Sequence, residues 1–295
     1  LLDGDTGVAV DALRTAAAQA RDLTVEQTLT VARAQVLAAS HQVEAALAVL
    51  DEIDPASLPD EVRLRFAEAY APSALLNGRV ADAERMVGEA IELATRDAGG
   101  ETVESLWPRL IAIAVAFARA QVDEAAAIGE DLVERAQALR VPTLRRTAAA
   151  ALGMLRHHQG RLDEAIELLS AGLRESAPYD IEQARPLALG SLALVLADAG
   201  RPGEADELLD GTSDPEAPST FAYAVTAARA QRAHREGLPT LAGQLLTAGF
   251  ERCGEAGDLA GAVLLALTGV RIGQAGVTAA ALEPLVIDGD EDTLL

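Results

Sequence analysis

The sequence predicts an all-α solenoid, a stack of about seven to eight helix-turn-helix repeats that fills residues 1–295 as a single array. Three observations predict it. A ten-residue phrase recurs along the chain at intervals of 36 to 42 residues, the mark of a repeat architecture. The stretches between its copies are rich in Ala, Leu, Arg and Glu, which form helices, and poor in alternating β-branched residues. Half of the residues are hydrophobic yet 3% are aromatic, so alanine supplies much of the apolar content.

The clearest copy of the phrase is Gly160–Leu169, GRLDEAIELL. Gly78–Val87 and Gly200–Leu209 follow it closely, and Gly4–Leu13, Ser40–Val49, Ala120–Gly129, Gly237–Leu246 and Gly276–Leu285 more loosely. The small residue five places in is the anchor of each copy: Ala9, Ala45, Ala83, Ala125, Ala165, Ala205, Ala242 and Ala281. Each copy reads as a turn followed by a second helix. Glycine gives the conformational freedom needed where the preceding helix ends. Pro202 and Pro239 suit a first helical turn, which has no use for their missing N–H. Asp163, Glu164 and Glu204 fall at helix starts, where capping and the helix dipole favour acids. The anchor alanine lets a neighbouring helix approach, and Leu168 and Leu169 continue the buried stripe.

First helices are expected upstream of the phrases, near Asp22–Ala39, Pro59–Leu76, Glu104–Ala120, Thr143–His158, Asp180–Ala199, Ser219–Arg235 and Ala256–Gln274. Pro72 and Pro186 are expected to kink or shorten theirs. Gly211–Thr220, GTSDPEAPST, reads as an inter-repeat loop or a hinge between two blocks of repeats. Asp51–Pro59 is a weaker linker, and Asp288–Asp292 is an acidic run expected to be solvated. The chain begins at Leu1, without Met, inside what already reads as a repeat, so a piece of a longer protein is expected.

Residues 147–178 resemble a tetratricopeptide repeat (TPR). Leu152-Gly153 matches the Leu-Gly pair of that family's first helix, Gly160 its turn glycine, Ala165 the small residue of its second helix and Pro178 its trailing proline. The other copies match in their second halves, with periods longer than the family's 34 residues. The resemblance implies a divergent, right-handed TPR-like superhelix whose first helices line a concave groove.

Charge and composition exclude several functions. Twenty-four arginines, with no lysine, face 46 acidic residues; the net charge is −22 and the pI about 4.5. Autonomous nucleic-acid binding needs clustered basic residues and is not expected. One cysteine, Cys253, excludes an intrachain disulfide and a Cys-rich zinc site. The longest uncharged apolar runs, Leu110–Ala118 and Leu259–Val270, fall short of the roughly 20 residues of a membrane span. There is no signal-peptide pattern at the N-terminus, so a cytoplasmic location is expected. A P-loop cannot be built without lysine, and neither a nucleophile elbow nor a His-Glu-x-x-His motif occurs. His157 and His158 point to different helix faces and read as turn-adjacent polar residues. Cys253 reads as a plain surface or packing cysteine, or otherwise as an activated thiol beside Arg252. No catalytic residue, metal site or cofactor is expected.

Binding remains. Carried over residue by residue, the TPR resemblance implies groove positions that include Arg65, Trp107, Leu110, Phe117, Met154, His157, Gln231 and Arg235. The family's Lys/Arg and Asn clamp for peptide carboxylates is not found in tandem. Trp107 is expected near the start of a first helix, with Pro108 in its first turn; it is either buried structurally or partly exposed as a groove anchor on one face with Phe117. The period near 39, with the acidic, Ala/Arg-rich composition, is similar to the helical-repeat region of large bacterial LuxR-type transcription regulators of maltose-activator-like architecture. That resemblance implies a non-catalytic sensor domain that binds a protein or peptide partner, or a small apolar inducer. The alternative is a TPR-like protein-interaction scaffold.

Overall fold

A computed structural model describes residues 6–96, 103–174, 185–212 and 222–280, and among them the regular elements are all helices. α1 (Thr6–Gln19) precedes seven helix pairs. The first three are α2 (Leu23–Ala39) with α3 (Val43–Leu50), α4 (Asp60–Leu76) with α5 (Val80–Arg96), and α6 (Val103–Ala118) with α7 (Val122–Ala138). Then come α8 (Pro142–His158) with α9 (Leu162–Arg174), α10 (Arg185–Asp198) with α11 (Pro202–Asp210), and α12 (Ala222–Arg235) with α13 (Pro239–Ala256). α14 (Leu259–Arg271) opens a seventh pair, followed by a helix described over 275–280.

The seven turns inside these pairs share one geometry. Each passes through a residue in the left-handed region: His41, Gly78, Ala120, Gly160, Gly200, Gly237 and Gly273. The next residue's N–H then bonds back across the turn, as in Gln42 to Leu37, Arg79 to Ala74, Gln121 to Ala116, Arg161 to Arg156 and Gln274 to Gly269, at 2.7 to 2.9 Å. This bond satisfies a carbonyl at the end of the first helix and fixes the angle at which the second departs. His41 and Ala120 take φ of 61° and 60° without being glycine, a strain of about 1–2 kcal/mol each.

Five residues after each turn residue comes the small anchor. Ala46, Ala83, Ala125, Ala165, Ala205, Ala242 and Thr278 are all buried. The expected anchor Ala45 is exposed, because His41 rather than Ser40 is the turn residue and the register moves by one. The last turn is likewise at Gly273 rather than Gly276; Ala281 lies outside the described residues. Leu50, Leu169, Leu209 and Leu246, nine after their turn residues, fill the core between pairs, each worth about 1.5–3 kcal/mol of burial. Gly153, of the TPR-like Leu-Gly pair, lets α9 close in: a Cβ there would lie 2.8 Å from Leu169 Cγ.

Other expectations need correcting. α6 begins at Val103, so Trp107 and Pro108 lie beyond its first turn. α14 begins at Leu259, because Ala256 ends α13 and Asp258 caps the new helix through Gly261 N–H at 2.8 Å. α4 continues through Pro72 to Leu76, so Pro72 does not end it; Pro186 lies at the start of the described part of α10, and residues 180–184 lie outside the described residues. The linker Asp51–Pro59 contains a 3-10 turn, Pro55–Ser57, capped by Asp54. Pro178, most of the loop 211–220 and the acidic run 288–292 lie outside the described residues.

First helices of neighbouring pairs touch one another, most closely α10 and α12, while no comparable contact joins successive second helices among the described residues. The stack therefore curves with first helices inside. The curvature brings its ends together: α14 touches α4. Asn77, the chain's one asparagine, donates to Gly257 O at 3.4 Å. A Cβ on Gly78 would lie 2.4 Å from Leu259 Cδ2, and one on Gly257 would lie 3.1 Å from Glu44 Cβ. His41 Nε2 sits 3.4 Å from Asp258 Oδ2, with both side chains buried.

Candidate functional site on the inner face

The inner face carries one polar node that four consecutive first helices build together. Asp198, at the end of α10, receives a hydrogen bond from Arg271 of α14 at 2.5 Å and one from Gln231 of α12 at 3.4 Å. His157 of α8 lies 2.8 Å from the other carboxylate oxygen. Burial opposes ionisation of Asp198, but the bonds from Arg271 and His157 outweigh it and hold the carboxyl below its ordinary range. Gln231 Oε1 is buried and accepts no hydrogen bond. Such a group carries a cost, which a turn of the Gln231 amide toward a ligand's donor would remove.

Helical spacing sets an apolar patch beside this node. Leu194 lies one turn before Asp198, Leu267 one turn before Arg271, and Met154 one turn before His158. Leu267 and Val270 are 60% and 61% exposed, high for large aliphatic side chains in a packed array. The His158 ring stands 4.7 Å from that of Phe117, which extends the patch onto α6.

The structure thus joins His157 and Gln231 at one carboxylate and sets Phe117 and Met154 nearby. It places the other expected residues elsewhere. Trp107 and Leu110 line a cavity of about 240 Å³ with Ala67, Glu68 and Ala71 of α4 and Val87 and Ala90 of α5. Arg65 is exposed and pairs with Glu61 on its own helix at 3.2 Å. Arg235 pairs with Asp206 of α11 at 2.7 Å.

Sequence reasoning missed Asp198 and Arg271. Both stand two residues before their turn residue. At that position the first three pairs carry Ala39, Leu76 and Ala118, and the last four carry His158, Asp198, Arg235 and Arg271. A column that is apolar in one half of the array and polar in the other was a readable signal once the turns were aligned.

The remaining chemistry is structural. Cys253 is buried, and burial with the nearby Asp258 pushes its thiol up to about 12, the opposite of an activated cysteine. The acids at second-helix starts pair with the arginine after the turn glycine, as Arg161 with Glu164 and Arg201 with Glu204, both at 2.6 Å. Among the described residues no group of His, Cys, Asp and Glu is placed to hold a metal ion, and no helix is long and apolar enough to cross a membrane.

No protein-family model and no curated protein matches the chain. Solved structures do share its fold. A Rap protein complexed with competence and sporulation factor superposes with a TM-score of 0.64 at 13% identity, over 94% of this chain and 78% of that one. NprR in complex with its cognate peptide NprX gives 0.64 at 14% identity, over 97% and 85%. The apo form of RapI gives 0.59 at 11% identity, over 90% and 100%. At such identities the likeness is one of fold: this chain is a TPR-like helical-repeat solenoid.

Proposed function

We propose that the chain is a non-catalytic sensor array whose inner face binds a peptide or an extended segment of a protein. One observation carries the reading. Four repeats converge on Asp198, Gln231 Oε1 is left unsatisfied there, and Leu267 and Val270 stand exposed on α14 within a turn of Arg271. A peptide offers both complements, N–H donors or a cationic group for the node and apolar side chains for the patch. Two proteins of the same fold support it, since the Rap protein was solved with competence and sporulation factor and NprR with the peptide NprX.

Selection of displayed random peptides on the purified chain tests this, followed by calorimetry with Asp198→Ala. Binding that falls tenfold or more in the variant supports the groove; full binding by the variant overturns it. As a finer reading we infer a regulatory role within a LuxR-type transcription regulator, on the strength of the repeat period and composition. The adjoining gene sequence decides between that reading and a scaffold: an encoded helix-turn-helix segment supports the regulator, and its absence favours the scaffold.

A further inference from the structure

α14 is held at both ends by parts of the chain distant in sequence. At its N-terminal end Asp258 faces His41, Leu259 covers Gly78 and the preceding Gly257 accepts from Asn77. At its C-terminal end Arg271 reaches past α12 to Asp198. Thirteen residues separate a seam that closes the superhelix from the polar node of its inner face. An α-helix of that length is a rigid strut of about 20 Å.

The two attachments differ in kind. The seam is buried: His41 and Asp258 both lie within it, and His41 Nδ1 and Asp258 Oδ2 have no hydrogen-bond partner. With these unsatisfied polar atoms sealed inside it, the seam is closed at a cost. The attachment at Asp198 is a charge-assisted bond from an arginine whose side chain is 55% exposed, open to competition from another cation.

We propose that α14 is a latch that couples the inner face to the closure of the superhelix. A cationic group of a bound peptide, an arginine, a lysine or an N-terminal amine, takes Arg271's place on Asp198, frees the C-terminal end of α14 and loosens the seam at its other end. This rests on the groove reading above for its ligand, but not for its mechanics. Binding in the groove would then change the shape of the whole array, since the seam joins the first pairs to the last, and a change of shape is something a flanking domain can sense.

Hydrogen–deuterium exchange of the intact chain tests the coupling without any peptide. Arg271→Ala removes the attachment at Asp198, and Arg271→Lys restores a cation there. Leu259→Ala weakens the seam directly and sets the scale. The expected result is that Arg271→Ala raises exchange about tenfold at the seam, in 41–46 and 257–262, as well as around residue 198, and that Arg271→Lys returns the seam toward wild type. Faster exchange around residue 198 alone, with the seam unchanged, would show Arg271 to be a local contact and overturn the latch. So would Leu259→Ala with no effect at the seam. A failure to select any peptide bears on the groove reading and leaves these outcomes unaffected.

Discussion

His41 Nε2 lies 3.4 Å from Asp258 Oδ2, although the first belongs to the turn of the first helix pair and the second caps the first helix of the seventh. Asp258 is held locally by Gly261 N–H, which it caps; what brings it against His41 is the curvature accumulated over the intervening pairs. Burial raises Asp258 to about 6, against the bond it accepts from Gly261 N–H, and burial lowers His41.

These shifts give opposite pH dependences. The folded chain binds the Asp258 proton more tightly than the unfolded chain does. That contribution is fully present below pH 3.8 and is lost as pH rises through about 6. His41 resists protonation when folded, so its contribution is present above pH 6.5 and is lost as pH falls. Asp258→Asn keeps a good N-cap and removes the first dependence. Relative to this variant, wild type should lose on the order of 3 kcal/mol between pH 4 and pH 7. Urea denaturation across that window measures the difference. Parallel stability curves for the two proteins would mean that the carboxyl is solvated and the seam open.

The anchor alanines give a prediction about packing. Ala165 and Ala205 are 0% and 1% exposed, so Ala165→Leu and Ala205→Leu should each cost about 1–3 kcal/mol by overpacking. Ala46→Leu should cost a similar amount, while Ala45→Leu, on the exposed side of the same helix, should change stability little. Chemical denaturation of the four variants checks the register. Equal losses at residues 45 and 46 would count against it.

What the sequence made legible follows from which interactions are local. The turns at Gly78, Gly160 and Gly200 could be read because glycine marks left-handed backbone, and Ala165 or Ala205 because a small residue at fixed distance marks helix contact. The register slipped at Ser40–Val49 where that marker fails: His41 adopts the turn conformation without being glycine. His157 and Gln231 were within reach of a repeat register. Their meeting on Asp198 was not, since it depends on how far each pair rotates against the next. The same holds for the seam, where a small error in rotation per pair, summed over the array, separates Asn77 from Gly257 altogether.

Two glycine-alanine exchanges should act in opposite directions. A Cβ on Gly190 would lie 2.3 Å from the backbone carbon of Ala224, so Gly190→Ala should force α10 and α12 apart and cost at least about 1–3 kcal/mol. Ala120 occupies a turn with φ of 60°, and Ala120→Gly should relieve strain and stabilise by about 1 kcal/mol. Thermal and urea unfolding report both. A neutral Gly190→Ala would show that these first helices are not in backbone contact.

Trp107 is the chain's single tryptophan, so intrinsic fluorescence reports on it alone. It is partly buried and forms one wall of the cavity between α4, α5 and α6, rather than sharing a surface with Phe117, whose ring faces His158. Its emission should therefore lie between the limits for buried and free indole, with partial quenching by acrylamide. Ala71, on the opposite wall, offers a way to fill the space. Ala71→Leu adds bulk to a cavity of about 240 Å³, which can take it with less overpacking than a close-packed site. The variant should shift emission to shorter wavelength and reduce acrylamide quenching, while binding of any selected peptide stays unchanged because Asp198 lies several pairs away. Unaltered fluorescence in Ala71→Leu would mean that Trp107 does not face that wall, and lost peptide binding would move the binding surface from Asp198 toward the Trp107 cavity.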